Sequence, residues 1–130
     1  MGKYSHSEGM YTVATGAASH AEGYMTTASA SYGHAEGAGS KAAAFAAHAE
    51  GSKTMALKDT SHAEGSATIA QGWASHAEGN NTQATAVTSH AEGYGSKATA
   101  DRAHAEGNNT TAAGIDSHAE GFETKTISGA

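Results

Sequence analysis

Small residues return at every second place along this chain, in two runs that repeat every 14 residues without a slip. Positions are counted from the residue before each histidine. Position 1 is Ser, Gly or Ala, position 3 is Ala in every block but the first (Ser7), and position 5 is Gly. Two variable places follow. Position 8 is then Thr or Ser, position 10 is Ala in eight of nine blocks with Thr126 in the last, and position 12 is mostly Gly or Ala. A period of two marks a strand, whose side chains alternate between faces. Two short strands per block, with a phase break at positions 6–7 and another near 14–1, predict one flattened coil. The blocks begin at Ser5, Ser19, Gly33, Ala47, Ser61, Ser75, Ser89, Ala103 and Ser117, so residues 1–130 read as a single repeat domain without a linker. A unit this short is stable only when stacked on its neighbours, which makes the chain a β-solenoid of nine coils.

A helix is the rival reading of so much alanine. Glycine in every block opposes it at ~1 kcal/mol each, and so does β-branched threonine. Dipeptides such as Asn80-Asn81, Tyr94-Gly95 and Ala38-Gly39 at positions 6–7 suit a turn that needs positive φ.

Parity assigns the faces. Positions 1, 3, 5, 8, 10 and 12 point into the coil, where only small side chains fit. Positions 9, 11 and 13 carry Lys41, Met55, Leu57, Phe45, Asp59, Trp73 and Asp101, and belong in solvent. Positions 2 and 4 also point outward, yet they never vary. Position 2 is His6, His20, His34, His48, His62, His76, His90, His104 and His118. Position 4 is Glu8, Glu22, Glu36, Glu50, Glu64, Glu78, Glu92, Glu106 and Glu120. A face constrained only by water drifts, as positions 9, 11 and 13 do. Self-association is the economical constraint, because a coil lined by Ala and Thr buries little area at ~25 cal/mol per Å². The expectation is that these eighteen residues form the interface between sister chains, each imidazole paired with a neighbour's carboxylate. Paired and hydrogen-bonded charges can be buried where isolated ones cannot. Coils stacked roughly 4.8 Å apart make a rod of about 40 Å.

Composition sharpens this picture. Leu, Ile, Val and Phe number only eight in 130 residues, a level that by itself suggests disorder. Nine unbroken repeats overrule that, so the core must consist of small residues. There is no cysteine to staple the chain, and no proline, as suits continuous strand ladders. No apolar stretch is long enough to span a bilayer, and no signal peptide is visible. The start at Met1-Gly2, almost inside the first repeat, and the lack of a convincing cap at either end suggest a segment of a longer chain. The formal charge is −6, with −9 from the motif glutamates and +3 from seven basic residues against Asp59, Asp101, Asp116 and Glu123. No basic stripe accompanies the few aromatics, so a nucleic-acid partner is not expected.

The block Ser-His-Ala-Glu-Gly-x-x-Thr-x-Ala-x-Gly is clearest at Ser61, His62, Ala63, Glu64, Gly65, Thr68, Ala70 and Gly72. It resembles the 14-residue head repeat of trimeric autotransporter adhesins of the YadA type, whose pattern is Ser-Val-Ala-Ile-Gly-x-x-Ala/Ser-x-Ala-x-Gly. Repeats of this kind also resemble those of phage tail fibres. The resemblance covers all nine blocks and implies a left-handed parallel β-roll and a homotrimer. This chain departs from the pattern by placing His and Glu where the family has Val and Ile, which implies an ion-paired trimer interface in place of a dry one. The neck, coiled-coil stalk and membrane anchor of that family have no counterpart here.

Nine histidines raise a second hypothesis, a metal- or ion-binding β-solenoid that uses the histidine column, since a threefold set of imidazoles could take zinc. The glutamate beside each histidine already offers it a partner, so the pattern demands no cofactor. Catalysis by His and Glu is not expected, because nine equivalent copies without a unique nucleophile are a repeat rather than a site. An ice-binding array on the position 8 column is disfavoured by its inward parity. The function expected is structural or adhesive: a head or rod segment of a surface fibre, adhesin or phage tail fibre, located extracellularly, on a cell surface or on a virion. The chain itself is the partner, no membrane insertion is expected of this segment, and a host-surface or extracellular-matrix ligand would meet the variable positions. Pairing with His⁺ would lower the glutamate pKa values and raise those of the histidines, so stability would fall in both acid and alkali. Histidines buried in the neutral form would instead remove the alkaline loss.

Overall fold

The computed structural model describes residues 1–127, and within them the chain is all β. Each coil contributes a five-residue strand and a two-residue strand. In chain order these are β1 (His6–Met10), β2 (Val13–Ala14), β3 (His20–Tyr24), β4 (Thr27–Ala28), β5 (His34–Ala38), β6 (Lys41–Ala42), β7 (His48–Ser52), β8 (Met55–Ala56) and β9 (His62–Ser66). They continue with β10 (Ile69–Ala70), β11 (His76–Asn80), β12 (Gln83–Ala84), β13 (His90–Tyr94), β14 (Lys97–Ala98), β15 (His104–Asn108), β16 (Thr111–Ala112), β17 (His118–Phe122) and β18 (Lys125–Thr126). The odd strands form one parallel nine-stranded sheet and the even strands another. Register follows the repeat: His62 pairs with His76, Glu64 with Glu78 and Gly65 with Gly79. The chain is thus a parallel β-solenoid of nine coils. No helix among the described residues is long and apolar enough to cross a membrane.

The core is made of columns. Ala21, Ala35, Ala49, Ala63, Ala77, Ala91 and Ala105 at position 3 are fully buried, facing the position 10 column from Ala28 to Ala112. Thr and Ser at position 8 complete the interior. Their hydroxyls bond locally: Thr82 Oγ1 donates to the Glu78 carbonyl at 3.0 Å, and Thr54 Oγ1 to Ser40 Oγ at 3.0 Å. Ser75 and Ser89 at position 1 donate to carbonyls three residues back, at 2.7 Å each. Ser7 replaces alanine in the first coil and meets Thr12 Oγ1 at 2.7 Å. Every large apolar side chain is left out of this interior. Trp73, Phe45, Tyr32 and Phe122 are all more than half exposed.

Two features correct the parity reading. Glycine at position 5 is exposed and does not face inward. Its φ runs from +96° to +115°, which turns the strand out of its alternation. A Cβ on Gly65 would also lie 2.1 Å from the carbonyl oxygen of Gly79 in the next coil. The residue is small because the backbones stack there. Position 12 is inward only in part: Gly16, Gly72 and Gly114 are buried, whereas Lys58 is exposed.

The turns fall where expected, with one addition. Position 7 is left-handed, as at Met25, Lys53 and Asn81. Position 14 is left-handed as well, at Ala18, Tyr32, Ala46, Thr60, Ala74, Thr88, Arg102 and Asp116. That conformation is unfavourable for most L-residues, and most of all for β-branched ones. Neighbouring coils hold it in place: the Thr60 N–H donates to the Phe45 carbonyl at 2.9 Å, and the Thr88 N–H to the Trp73 carbonyl at 2.8 Å.

Candidate functional site: the histidine–glutamate column

The odd strands carry positions 2 and 4 on the outer surface of their sheet, and in-register pairing places each histidine directly over the next. From His34 to His118 the imidazoles stack with centroids 4.6–4.8 Å apart and planes within 7° of parallel. The stack opens at the first coils, where His6 and His20 are tilted by 38°.

Every histidine but His76 brings Nε2 within 4 Å of the glutamate two residues on. The Nε2···Oε2 distance is 3.1 Å at His20–Glu22, 3.4 Å at His34–Glu36 and 3.7 Å at His62–Glu64. Further along, Nε2 also approaches the glutamate of the preceding coil, at 3.5 Å for both His90–Glu78 and His118–Glu106. The two columns therefore form a zipper. In the central coils both side chains are about one-third exposed (34% for His62, 31% for Glu64), against 61% and 74% for His6 and Glu8 at the end. Much of this shielding comes from the column itself, since each ring covers its neighbours.

Most of these contacts are longer than a hydrogen bond. The Nε2 atoms of His34, His48, His62, His76, His90 and His104 are buried without a hydrogen-bond partner. A buried polar atom left in that state costs ~1–3 kcal/mol. Six in one column mark a surface whose bonding is incomplete in a single chain.

Electrostatics correct the sequence expectation. His34, His62, His76 and His90 are held below the ordinary imidazole range, not above it. Burial is the first cause and the charge of the stacked neighbouring histidine the second; the glutamates pull the other way and are outweighed. These histidines are therefore neutral near pH 7. Glu78 is held below the ordinary carboxylate range, first by side-chain hydrogen bonding with Glu64 and Glu92.

Elsewhere the surface is less regular. At position 14, Arg102 forms a two-point pair with Asp116, at 2.5 and 3.0 Å. Asp59 and Asp101 accept the Phe45 and Val87 N–H groups of the preceding coil at 3.1 Å. Sequence reasoning missed these brackets, although the spacing of 14 between partners was available as a signal. A shallow cavity of about 320 Å³ lies at the position 6–7 turns, lined by Tyr24, Met25, Ala38, Gly39, Ser52 and Lys53. It arises where small Ala38-Gly39 sits between bulkier coils.

Compared with family models, with curated proteins and with solved structures, the chain matches none.

Proposed function

We propose that this chain is a structural segment of a trimeric surface fibre, with the His/Glu faces of three copies meeting along a common axis. The observation that carries the reading is the contrast between its outer faces. Positions 9, 11 and 13 change from coil to coil, whereas positions 2 and 4 repeat nine times and leave six buried Nε2 atoms unsatisfied. Sister chains would supply what such a face lacks: acceptors for the imidazoles and removal of the one-third-exposed rings from water. A threefold arrangement closes on itself and lets every coil repeat the same contact. The interface residues are the nine histidines and nine glutamates, and the coil winds in the left-handed sense of the adhesin head repeat that the sequence resembles.

In this role the segment extends the fibre and displays its turns. The apolar cavity beside Tyr24 and Met25, and the exposed Trp73 and Phe45, are where a host-surface or matrix ligand would bind. The location that follows is extracellular, on a cell surface or a virion, in an adhesin or a phage tail fibre.

Light scattering and native mass spectrometry test the reading. The expected mass is three times the 12.9 kDa protomer. A monomer at micromolar concentration, with histidines as accessible to diethyl pyrocarbonate as free imidazole, overturns it.

A further inference from the structure

The unsatisfied Nε2 atoms also have a consequence within a single chain. Donor atoms on a tetrahedral zinc, ~2.0–2.1 Å from nitrogen and ~2.0–2.2 Å from oxygen, lie about 3.3 Å apart. The Nε2 to carboxylate distances of 3.1–3.9 Å along the column bracket that value. The pairs His34–Glu36, His62–Glu64 and His90–Glu92 thus each hold a nitrogen and an oxygen at close to the right separation, and their Nε2 atoms have no hydrogen bond to break.

Three-donor groups form at His34, Glu36 and His48, at His62, Glu64 and His76, and at His90, Glu92 and His104, all within 4.8 Å. A fourth, at His104, Glu106 and His118, shares His104 with the third, so both cannot fill together. We propose that the column binds divalent transition cations of the zinc and cobalt class, one ion per independent group and hence three per chain. The fixed pair is an imidazole Nε2 and the carboxylate oxygen two residues on. The next coil's histidine is the third ligand and water the fourth.

Geometry sets the demand on that third ligand. The rings of His62 and His76 are parallel within 2° at 4.7 Å, so their lone pairs run side by side. One ring must turn about its Cβ–Cγ bond to converge on the ion. Mutual repulsion between dications spaces the ions along the column, and the three independent groups begin two coils apart, which meets that need. Imidazole donors favour zinc, cobalt, nickel or copper over calcium and magnesium, which prefer all-oxygen sets. The proposal does not require the trimer, because all three protein ligands come from one chain.

Equilibrium dialysis of the untagged full chain against zinc, with metal counted per chain, tests it, and cobalt(II) absorption reports the ligand geometry. Saturation at three ions and a tetrahedral cobalt band are expected. No retained metal, or about one ion per histidine, overturns the assignment. His76→Gln should lower the count from three to two with an unchanged circular dichroism spectrum, and Glu64→Gln should do the same should the first variant misfold. Retention of all three ions in a folded variant also overturns it. Oligomer mass measured on the same samples keeps the two proposals apart: a trimer without zinc removes only this one, and a zinc-loaded monomer removes only the trimer.

Discussion

The outer faces of the two sheets rest on the same kind of parallel ladder, yet their side chains behave differently. On the odd strands identical residues recur at every coil, and the imidazoles from His34 onward align within 7°. On the even strands position 9 runs Val13, Thr27, Lys41, Met55, Ile69, Gln83, Lys97, Thr111, Lys125, and no column forms. Repetition of one residue at the coil spacing creates an environment that no single residue creates. Each ring buries its neighbours, and burial with the charge of the adjacent ring depresses the basicity of His34, His62, His76 and His90. At the end of the stack His6 has a neighbour on one side only and is far more exposed.

Several changes should break or sharpen this contrast. The largest effect is expected from Gly65→Ala, which disrupts the strand that carries the column. The new Cβ collides with the Gly79 carbonyl at a φ of +104°, and strain with overpacking should cost about 3 kcal/mol or more, read by urea unfolding. Acid should act next, on one face only. His34, His62, His76 and His90 titrate below 6.5 when folded and near it when unfolded, so the folded state binds fewer protons in that window. Stability then rises with pH through the window and is flat above it. The melting temperature should fall from pH 7 to pH 5, with no loss between pH 7.5 and 9 from these groups. A lower melting temperature at pH 9 would instead mean that the histidines are charged at neutral pH.

A smaller change, about 1–2 kcal/mol, is expected for His62→Ala, which gaps the stack and leaves the Glu64 carboxylate without its imidazole. The pair His62→Val with Glu64→Ile, which restores the adhesin-like residues, should stay within about 1 kcal/mol of the parent or exceed it, since apolar replacement of a polar pair is often neutral or better. Smallest of all, Gln83→Val on the other face should stay within about 0.5 kcal/mol. Differential scanning calorimetry on the three proteins ranks them; equal losses at Gln83 and His62 would erase the contrast between faces.

Much of the architecture was legible in the residues. The period gave the coils, the two strands in each, the turn at positions 6–7 and the small-residue core, because spacing alone determines which side chains stack. The errors came where spacing says nothing about dihedral angles. Parity was carried through Gly65 and its equivalents as though they were extended, but a φ near +100° reverses the face there. Left-handed residues at position 14 went unnoticed because Thr60 and Thr88 do not advertise them; lateral backbone bonds impose that conformation. The histidine and glutamate columns were found, but their electrostatics were misjudged. Sequence showed a carboxylate beside each imidazole and the next imidazole one coil away, but not that burial and the stacked neighbours outweigh the carboxylates at His34, His62, His76 and His90.

The alanine interior has a thermal consequence. Heat capacity of unfolding grows with newly hydrated apolar surface, ~0.45 cal/K/mol per Å², and shrinks with polar surface. Here tryptophan, phenylalanine and most of the larger aliphatic side chains already touch water in the native state, and what melting releases is methyl groups, hydroxyls and amides. Curvature of the free energy against temperature should therefore be shallow, giving a rod that changes little in strength between a cold and a warm surface.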